Sequence, residues 1–289
     1  MSHGRERNAT TEDAMCGRLA MTDIPWADLA PLWMTPDELS DGDVVIRETI
    51  AAELAAAYTS PPRYNVAPTQ DLLTVTSGRA SGELGDPRDN HQVRPMRWGL
   101  IPRRAAKARA GARHFNARSE SAHATAAFAQ PIRQRRCLVL ATGFYEWERV
   151  GKQSFPFLVS DPASELLTFA GVWDSWASPD GEFVESVAIL TCEANDALSE
   201  LHARMPVVLG EQARRAWLDP STPLADARAL MKTWPSERTT LRRVDVLVND
   251  ARVDSPDCQR AADLDALELA RRAELEKLED RSTQLGMFG

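Results

Sequence analysis

The sequence predicts an α+β fold, and three observations carry that reading. Short runs rich in Val, Leu, Ile, Phe and Thr, each bounded by Gly, Pro, Asp or Ser, recur through the middle of the chain. Segments with helical spacing of apolar residues stand between and after them. The two kinds do not alternate in a regular βαβ rhythm, which suggests α+β, and no internal repeat is present.

The elements follow in order. Residues 1–14 are polar and read as a leader without structure. Apolar spacing is helix-like over 25–34, and Thr35-Pro36-Asp37-Glu38 has the form of a helix opening. Residues 43–58 become Ala-rich and predict a helix, which Pro61-Pro62 would end. Residues 72–76 predict a strand, and the polar, turn-rich stretch 77–91 a surface loop. Further strands are predicted over 137–141, 155–160, 166–172 and 185–191, helices over 194–202, 211–218 and 224–234, and a last strand over 244–248. From 263 to 285 the pattern changes to a charged amphipathic helix. We therefore divide the chain into a leader (1–15), one α+β domain (16–260) and a helical tail (261–289).

Composition excludes several classes of function. A chain of 289 residues with 43% hydrophobic residues buries roughly three quarters of its unfolded surface, so neither disulfides nor metal are needed to hold it. No apolar run approaches the ~20 residues of a membrane span, and the first residues carry no secretory signal. Cys16, Cys137, Cys192 and Cys258 are widely spaced, without a CxxC pair. His3, His91, His114, His123 and His202 show no ligand spacing, so neither a metal nor a cofactor is expected. These features describe a soluble, reduced, cytoplasmic protein. The net charge is −8, yet residues 93–119 hold seven Arg and one Lys with no acid, while 261–281 hold seven acids against four bases. A basic strip inside an acidic protein is either a solvated face or a contact for a polyanion.

Chemistry-bearing residues gather in separate clusters: Met15-Cys16-Gly17-Arg18, Tyr64 to Thr69, Arg97 to Pro102 running on to Phe115 to Glu120, Gly143 to Trp147, and Leu201 to Pro206. Singly, each has a plain explanation. A free Cys is most often a small core residue, Asn65 and Asn116 suit turns or caps, and His202 suits a satisfied structural role.

Together, MCGR, YNVAPT, RWGLIP, FNARSE, GFYEW and LHARMPVVL, in that order, resemble the SOS response-associated peptidase (SRAP) family, and VNDARVDSPDC near Cys258 is similar to its closing motif. The resemblance implies a single α+β domain with mixed, largely antiparallel sheets and peripheral helices. It also implies recognition of abasic sites in single-stranded DNA and a covalent link to them through a cysteine that becomes the N-terminus, here Cys16. An α-amino group with a pKa near 7.8 is roughly 300–400-fold richer in its neutral form at pH 7 than a Lys near 10.4. Its neutral form adds to the sugar aldehyde, and the thiol then closes a thiazolidine.

By the same resemblance Asn116 would orient the amine, Glu146 would act as general acid/base, and His202 would move a proton at the sugar oxygen. Arg18, Arg118 and Arg204 would bind phosphates, Trp98 and Trp147 would contact the DNA with Trp98 stacking on a base, and Asn65 and Pro68 would line the cleft. A cysteine peptidase acting on other proteins and a non-covalent single-strand binder are the competing readings.

Two features depart from the family pattern. Fifteen residues precede Cys16, so either translation begins at Met15 or the leader is removed between Met15 and Cys16, the Cys16 thiol attacking the Met15 carbonyl with help from Glu146. The short, polar leader favours the first. The tail ends in Gln284-Leu285-Gly286-Met287-Phe288-Gly289, which resembles the peptide that binds the bacterial sliding clamp, with Leu285, Met287 and Phe288 as apolar anchors and Gln284 as the polar contact.

Overall fold

The computed structural model describes residues 17–34, 42, 44–58, 61–78, 91–178 and 180–286, with the side chains of the last helix described as far as 277. The leader, Cys16, the helix opening at 35–38, most of the loop expected over 77–91, and Met287 and Phe288 lie outside the described residues.

In chain order the strands are β1 (Leu19–Met21), β2 (Arg63–Val66), β3 (Asp71–Ser77), β4 (His91–Trp98), β5 (Asn116–Arg118), β6 (Arg136–Ala141), β7 (Gly143–Val150), β8 (Gln153–Ser160), β9 (Leu167–Ala177), β10 (Phe183–Glu193), β11 (Arg204–Pro206) and β12 (Thr240–Arg243). The helices are α1 (Val44–Ala57), α2 (Pro131–Gln134), α3 (Asp196–Ser199), α4 (Glu211–Leu218), α5 (Leu224–Ala229) and α6 (Leu264–Gly286). The α+β expectation holds.

Five strands form an antiparallel sheet in the order β12-β8-β7-β1-β2. A second sheet runs β11-β10-β4-β3-β6-β9, and a further pairing of β10 with β9 closes β10, β4, β3, β6 and β9 into a small barrel. Most of its ladders are antiparallel, but β4 and β5 both run parallel to β10. Strand β6 pairs with β3 on one side and β9 on the other, and every residue of it is buried. That explains its unbroken apolar run Cys137-Leu138-Val139-Leu140-Ala141, because a strand covered on both faces has no reason to alternate. Its first residue, Arg136, is buried by donating to Trp217 O at 2.7 Å and Ile132 O at 3.2 Å, with its guanidinium over the Trp217 ring.

Several expectations change. Residues 25–34 form two 3-10 turns, Trp26–Asp28 and Ala30–Trp33, because Pro31 removes a backbone donor from the interior of any longer helix. The helix expected over 194–202 shortens to α3, capped by the Asn195 side chain accepting from Leu198 N at 3.0 Å. The helix over 224–234 ends at Ala229. The last strand is β12 rather than 244–248, where Asp245 caps a 3-10 turn over Val246–Asn249.

The tail helix is docked rather than free. Leu267, Arg271 and Glu274, spaced i, i+4, i+7, share one face. Leu267 packs with Val150 and Phe155, Arg271 Nε donates to Glu148 at 2.9 Å, and Glu274 accepts from Lys152 N at 3.2 Å. All of these partners belong to the β7–β8 hairpin.

Candidate functional site

The start of β1 is seated against β7. Tyr145 N donates to Arg18 O at 3.0 Å, and Leu19 and Ala20 stand opposite Phe144 and Gly143. Continuing that antiparallel register brings Gly17 level with Glu146, a carboxylate only 4% exposed. On the other side, a Cβ placed on Gly17 would lie 3.9 Å from Pro68 Cγ. The residue that follows Cys16 therefore lies between a buried carboxylate strand and the turn after β2.

That turn is strained. Thr69 has φ 79°, the one positive φ at a non-glycine among the described residues. It persists because its surroundings fix it: Thr69 N donates to Trp98 O at 2.8 Å, Trp98 N donates to Gln70 O at 2.8 Å, and the Gln70 side-chain oxygen accepts from Ala67 N and from Arg63. The indole of Trp98 then donates to Phe115 O at 2.9 Å, one residue before Asn116. A chain of contacts thus leads from Gly17 through Pro68, Thr69, Trp98 and Phe115 to Asn116. Trp98 itself is fully buried and edge-on to Phe115, which corrects the expectation that it offers a stacking face. It spaces the Thr69 turn from β5.

Asn116 opens β5 opposite Ile189, and Arg118, at the other end of that strand, is exposed opposite Thr191. On the far edge of β10, Met205 and Arg204 pair with Cys192 and Glu193. The fork of Arg204 grips Glu120 at 2.9 and 3.2 Å and donates to Thr191 O at 2.6 Å. Burial raises the Glu120 carboxyl, but Arg204 outweighs it and holds the group below its usual range. His202 Nδ1 accepts from Arg204 N at 3.0 Å. An accepting Nδ1 carries no proton, so the neutral ring bears its proton on Nε2. Asn116, Arg118, His202, Arg204 and Glu120 are thereby organised around one end of β10.

Arg18 and Asn65 form a separate brace. Arg18 Nη1 donates to Asn65 Oδ1 at 2.7 Å and to Val248 O at 2.6 Å, while its guanidinium stands over the Trp147 ring. Burial lowers the Arg18 pKa and Asp250 opposes that fall. Asn65 is fully buried, and its amide nitrogen contacts Val248 O, Asp250 O and Val253 O. This corrects the expectation that Asn65 lines a cleft: it holds the 248–253 segment closed. The half-buried Trp147 donates to Asn249 Oδ1 at 2.6 Å.

Sequence reading gave no role to Thr69, Glu120, Asn249 or Asp254, although each lies within one of the motifs. Asp254 accepts from Tyr64 N and Asn65 N and pairs with Arg63, so it ties the closing motif to β2. Its place in VNDARVDSPDC was the available signal. Among the described residues no group of His, Cys, Asp or Glu is arranged to hold a metal, and no helix is long and apolar enough to cross a membrane.

Comparison with known proteins gives a consistent set of relatives. The family described as SOS response associated peptidase (SRAP) matches residues 15–251. Abasic site processing protein YoqW of Bacillus subtilis is 32% identical over 198 residues, covering 68% of this chain and 84% of that protein. Abasic site processing protein HMCES of Rattus norvegicus is 32% identical over 234 residues, covering 70% of this chain and 66% of that protein. A crystal structure of a Bacteroides thetaiotaomicron protein shares the fold, with TM-score 0.65 at 23% identity over 86% of this chain and all of that one.

Proposed function

The chain belongs to the SOS response associated peptidase (SRAP) family, and from that premise we propose that it processes abasic sites in single-stranded DNA by a covalent link through Cys16. The observation that carries this reading is the seat of Gly17, between Pro68 and the strand of the buried Glu146. A peptide bond joins Cys16 to Gly17, so an amine freed at Cys16 stands one residue from the position level with Glu146, a group suited to moving protons.

The chemistry balances without a cofactor. The neutral α-amine of Cys16 adds to the C1 aldehyde of the ring-opened sugar, and loss of water gives an imine. The thiol sulfur then adds to the imine carbon while its proton passes to nitrogen, closing a thiazolidine. Glu146 takes and returns protons in the first stage, and its burial keeps bulk water from competing. Asn116 orients the amine. His202 donates a hydrogen bond from its Nε2–H to the sugar oxygen as the ring opens, while the proton leaving the C1 hydroxyl reaches that oxygen through water. Arg118 meets a backbone phosphate, and a second phosphate displaces Glu120 from the Arg204 fork, whose planar geometry accepts either anion. Pro68 and Trp147 border the lesion, with Arg18 behind Trp147. An abasic nucleotide is already unstacked, which lowers the cost of selecting it.

The terminal amine must first be exposed, either by initiation at Met15 and removal of that Met, or by attack of the Cys16 thiol on the Met15 carbonyl, which shifts the leader from nitrogen to sulfur as a thioester that water then hydrolyses. The decisive experiment incubates the chain with a single-stranded oligonucleotide carrying one abasic site, then reads intact mass beside a denaturing gel. A heat-stable shifted band whose protein mass begins at Cys16, lost in Cys16→Ala, is expected. A chain proven to begin at Cys16 that forms no band removes the covalent reading, leaving a peptidase of other proteins or a non-covalent binder.

The C-terminal peptide Gln284, Leu285, Met287 and Phe288 is proposed to engage a sliding clamp. Clamp retained by the full chain and lost with Leu285→Ala/Phe288→Ala is the expected outcome; equal retention by both, or none by either, rejects it.

A further inference from the structure

We infer that the hollow formed by residues 106–114 is a second DNA subsite, which holds the sugar-phosphate backbone of the single strand to one side of the lesion. This inference rests on the proposed reading of the chain as a single-strand binder. The hollow has a volume of about 630 Å³ and is lined by Ala106, Lys107, Arg109, Ala110, Arg113 and His114. None of these six is acidic. Lys107, Arg109 and Arg113 are all exposed, while the nearby Arg103 is already paired with Asp174 at 2.8 Å.

The hollow is preformed rather than a product of loose surface chain. Its segment is closed at the neck by Leu100 N donating to His114 O at 3.0 Å. Gly99 and Gly111 approach so closely there that a Cβ on Gly111 would stand 2.3 Å from Gly99 O. Trp176 Nε1 donates to Ala105 O at 2.8 Å, and a 3-10 turn spans Ala108–Arg113. The cations are therefore presented on a fixed frame, and little order has to be gained on binding.

Position and chemistry favour a strand over a small anion. Arg113 precedes Asn116 by three residues, so their Cα atoms lie within about 11 Å, a span of one or two nucleotides. From the hollow the positive charge continues to Arg118 along the same chain. A small phosphate needs donors that converge on one point. Three cations spread around an alanine-floored hollow instead match a run of phosphates with bases resting on apolar surface.

The test measures binding of an intact single-stranded oligonucleotide of about a dozen nucleotides by fluorescence anisotropy across a salt series. The full chain is compared with Lys107→Ala/Arg109→Ala/Arg113→Ala, and with Ala110→Trp, which fills the hollow while keeping its charge. Each phosphate contact contributes about 0.7 to the slope of log affinity against log salt, so the triple variant should lose about 2 from that slope and bind at least tenfold more weakly near physiological salt. Ala110→Trp should weaken binding with a smaller change in slope. Both variants should bind a very short oligonucleotide centred on an abasic site as the parent does. Unchanged slope and affinity in the triple variant overturn the subsite while leaving the proposed function standing. A parent chain that binds no single strand overturns both.

Discussion

Arg18 donates to the side-chain oxygen of Asn65 at 2.7 Å across 47 residues of sequence, and both side chains reach the carbonyl of Val248. This junction joins the beginning of the domain, strand β2 and the closing segment at one buried point. Replacing Asn65 with Ala takes its amide donor from the three carbonyls and one acceptor from Arg18, leaving Val248 O to Arg18, Asp250 O to Val253 N and Val253 O to the Cys258 thiol. Because Asn65 is fully buried, no water can substitute without rearrangement. Asn65→Ala is expected to destabilise the fold by about 1–3 kcal/mol in urea titration. A cost below about 0.5 kcal/mol would show that the brace is dispensable.

Thr69 stores strain beside the candidate site. A β-branched residue at φ 79° is held there by the bonds between its turn and Trp98, and glycine adopts that angle without penalty. Thr69→Gly should therefore raise stability by up to about 1 kcal/mol, since relief of strain exceeds the entropy lost by a freer unfolded chain. The same change loosens the turn that carries Pro68 against Gly17. Slower formation of the covalent band in a more stable protein is the expected pair of results; a faster band would contradict the positioning role of the turn.

His91 makes the fold sensitive to acid. It begins β4 edge-on to Trp33, and burial together with the nearby Arg215 charge lowers its pKa to about 4. In the unfolded chain the value returns to about 6.5, so between those limits the unfolded state binds the proton more readily. Its contribution is fully present above pH 6.5 and is lost as pH falls toward 4. Stability should be up to about 2 kcal/mol lower at pH 5 than at pH 7 from this group alone. His91→Phe should flatten that part of the profile, and urea midpoints at the two pH values measure it.

The tail helix should separate from the domain without unfolding it. Gly151 has φ +58°, and a Cβ there would stand 2.5 Å from Glu274 Oε1. Gly151→Ala is expected to push the Glu274 side chain off Lys152 N and so loosen the helix on the β7–β8 hairpin. Hydrogen exchange should then accelerate across 264–277, while global stability changes by about 1 kcal/mol or less, in keeping with a contact of one Leu and partly exposed ion pairs. Simultaneous loss of the whole domain would make α6 part of the core.

How much of this was legible in the sequence depends on whether a residue's role is local. The apolar runs of β6, β8, β9 and β10 announce themselves because both their composition and their bounding residues act within a few positions. Strand β4 was hidden in the basic strip: Arg94, Pro95 and Arg97 break its apolar alternation, and the strand exists because β3 pairs with it from Asp71 to Ser77. The motif pattern marked Trp98 and Asn65 as functional positions, but only burial shows that they support the site rather than face it. The exchange of a phosphate role for the Arg18 brace has the same origin, a partner 230 residues away in Val248.

Glu146 gives the sharpest test of the chemistry. Its strand is held on one side by β1, through Tyr145 N and Arg18 O, and on the other by β8, where Phe157 stands opposite Glu146. Substitution by Gln keeps the shape of the side chain while removing the ability to take a proton. A positioned general acid/base contributes about 10²–10⁴-fold, so Glu146→Gln should slow the covalent band at least a hundredfold. Binding of an intact single strand should stay within about twofold, because Glu146 is buried and contributes no phosphate contact. His202→Gln should act differently. The sugar oxygen needs its proton only for ring opening, so supplying an already opened aldehyde should rescue His202→Gln and leave Glu146→Gln slow. If the aldehyde rescues both variants equally, the two residues serve one step and the assignment of Glu146 to imine formation fails.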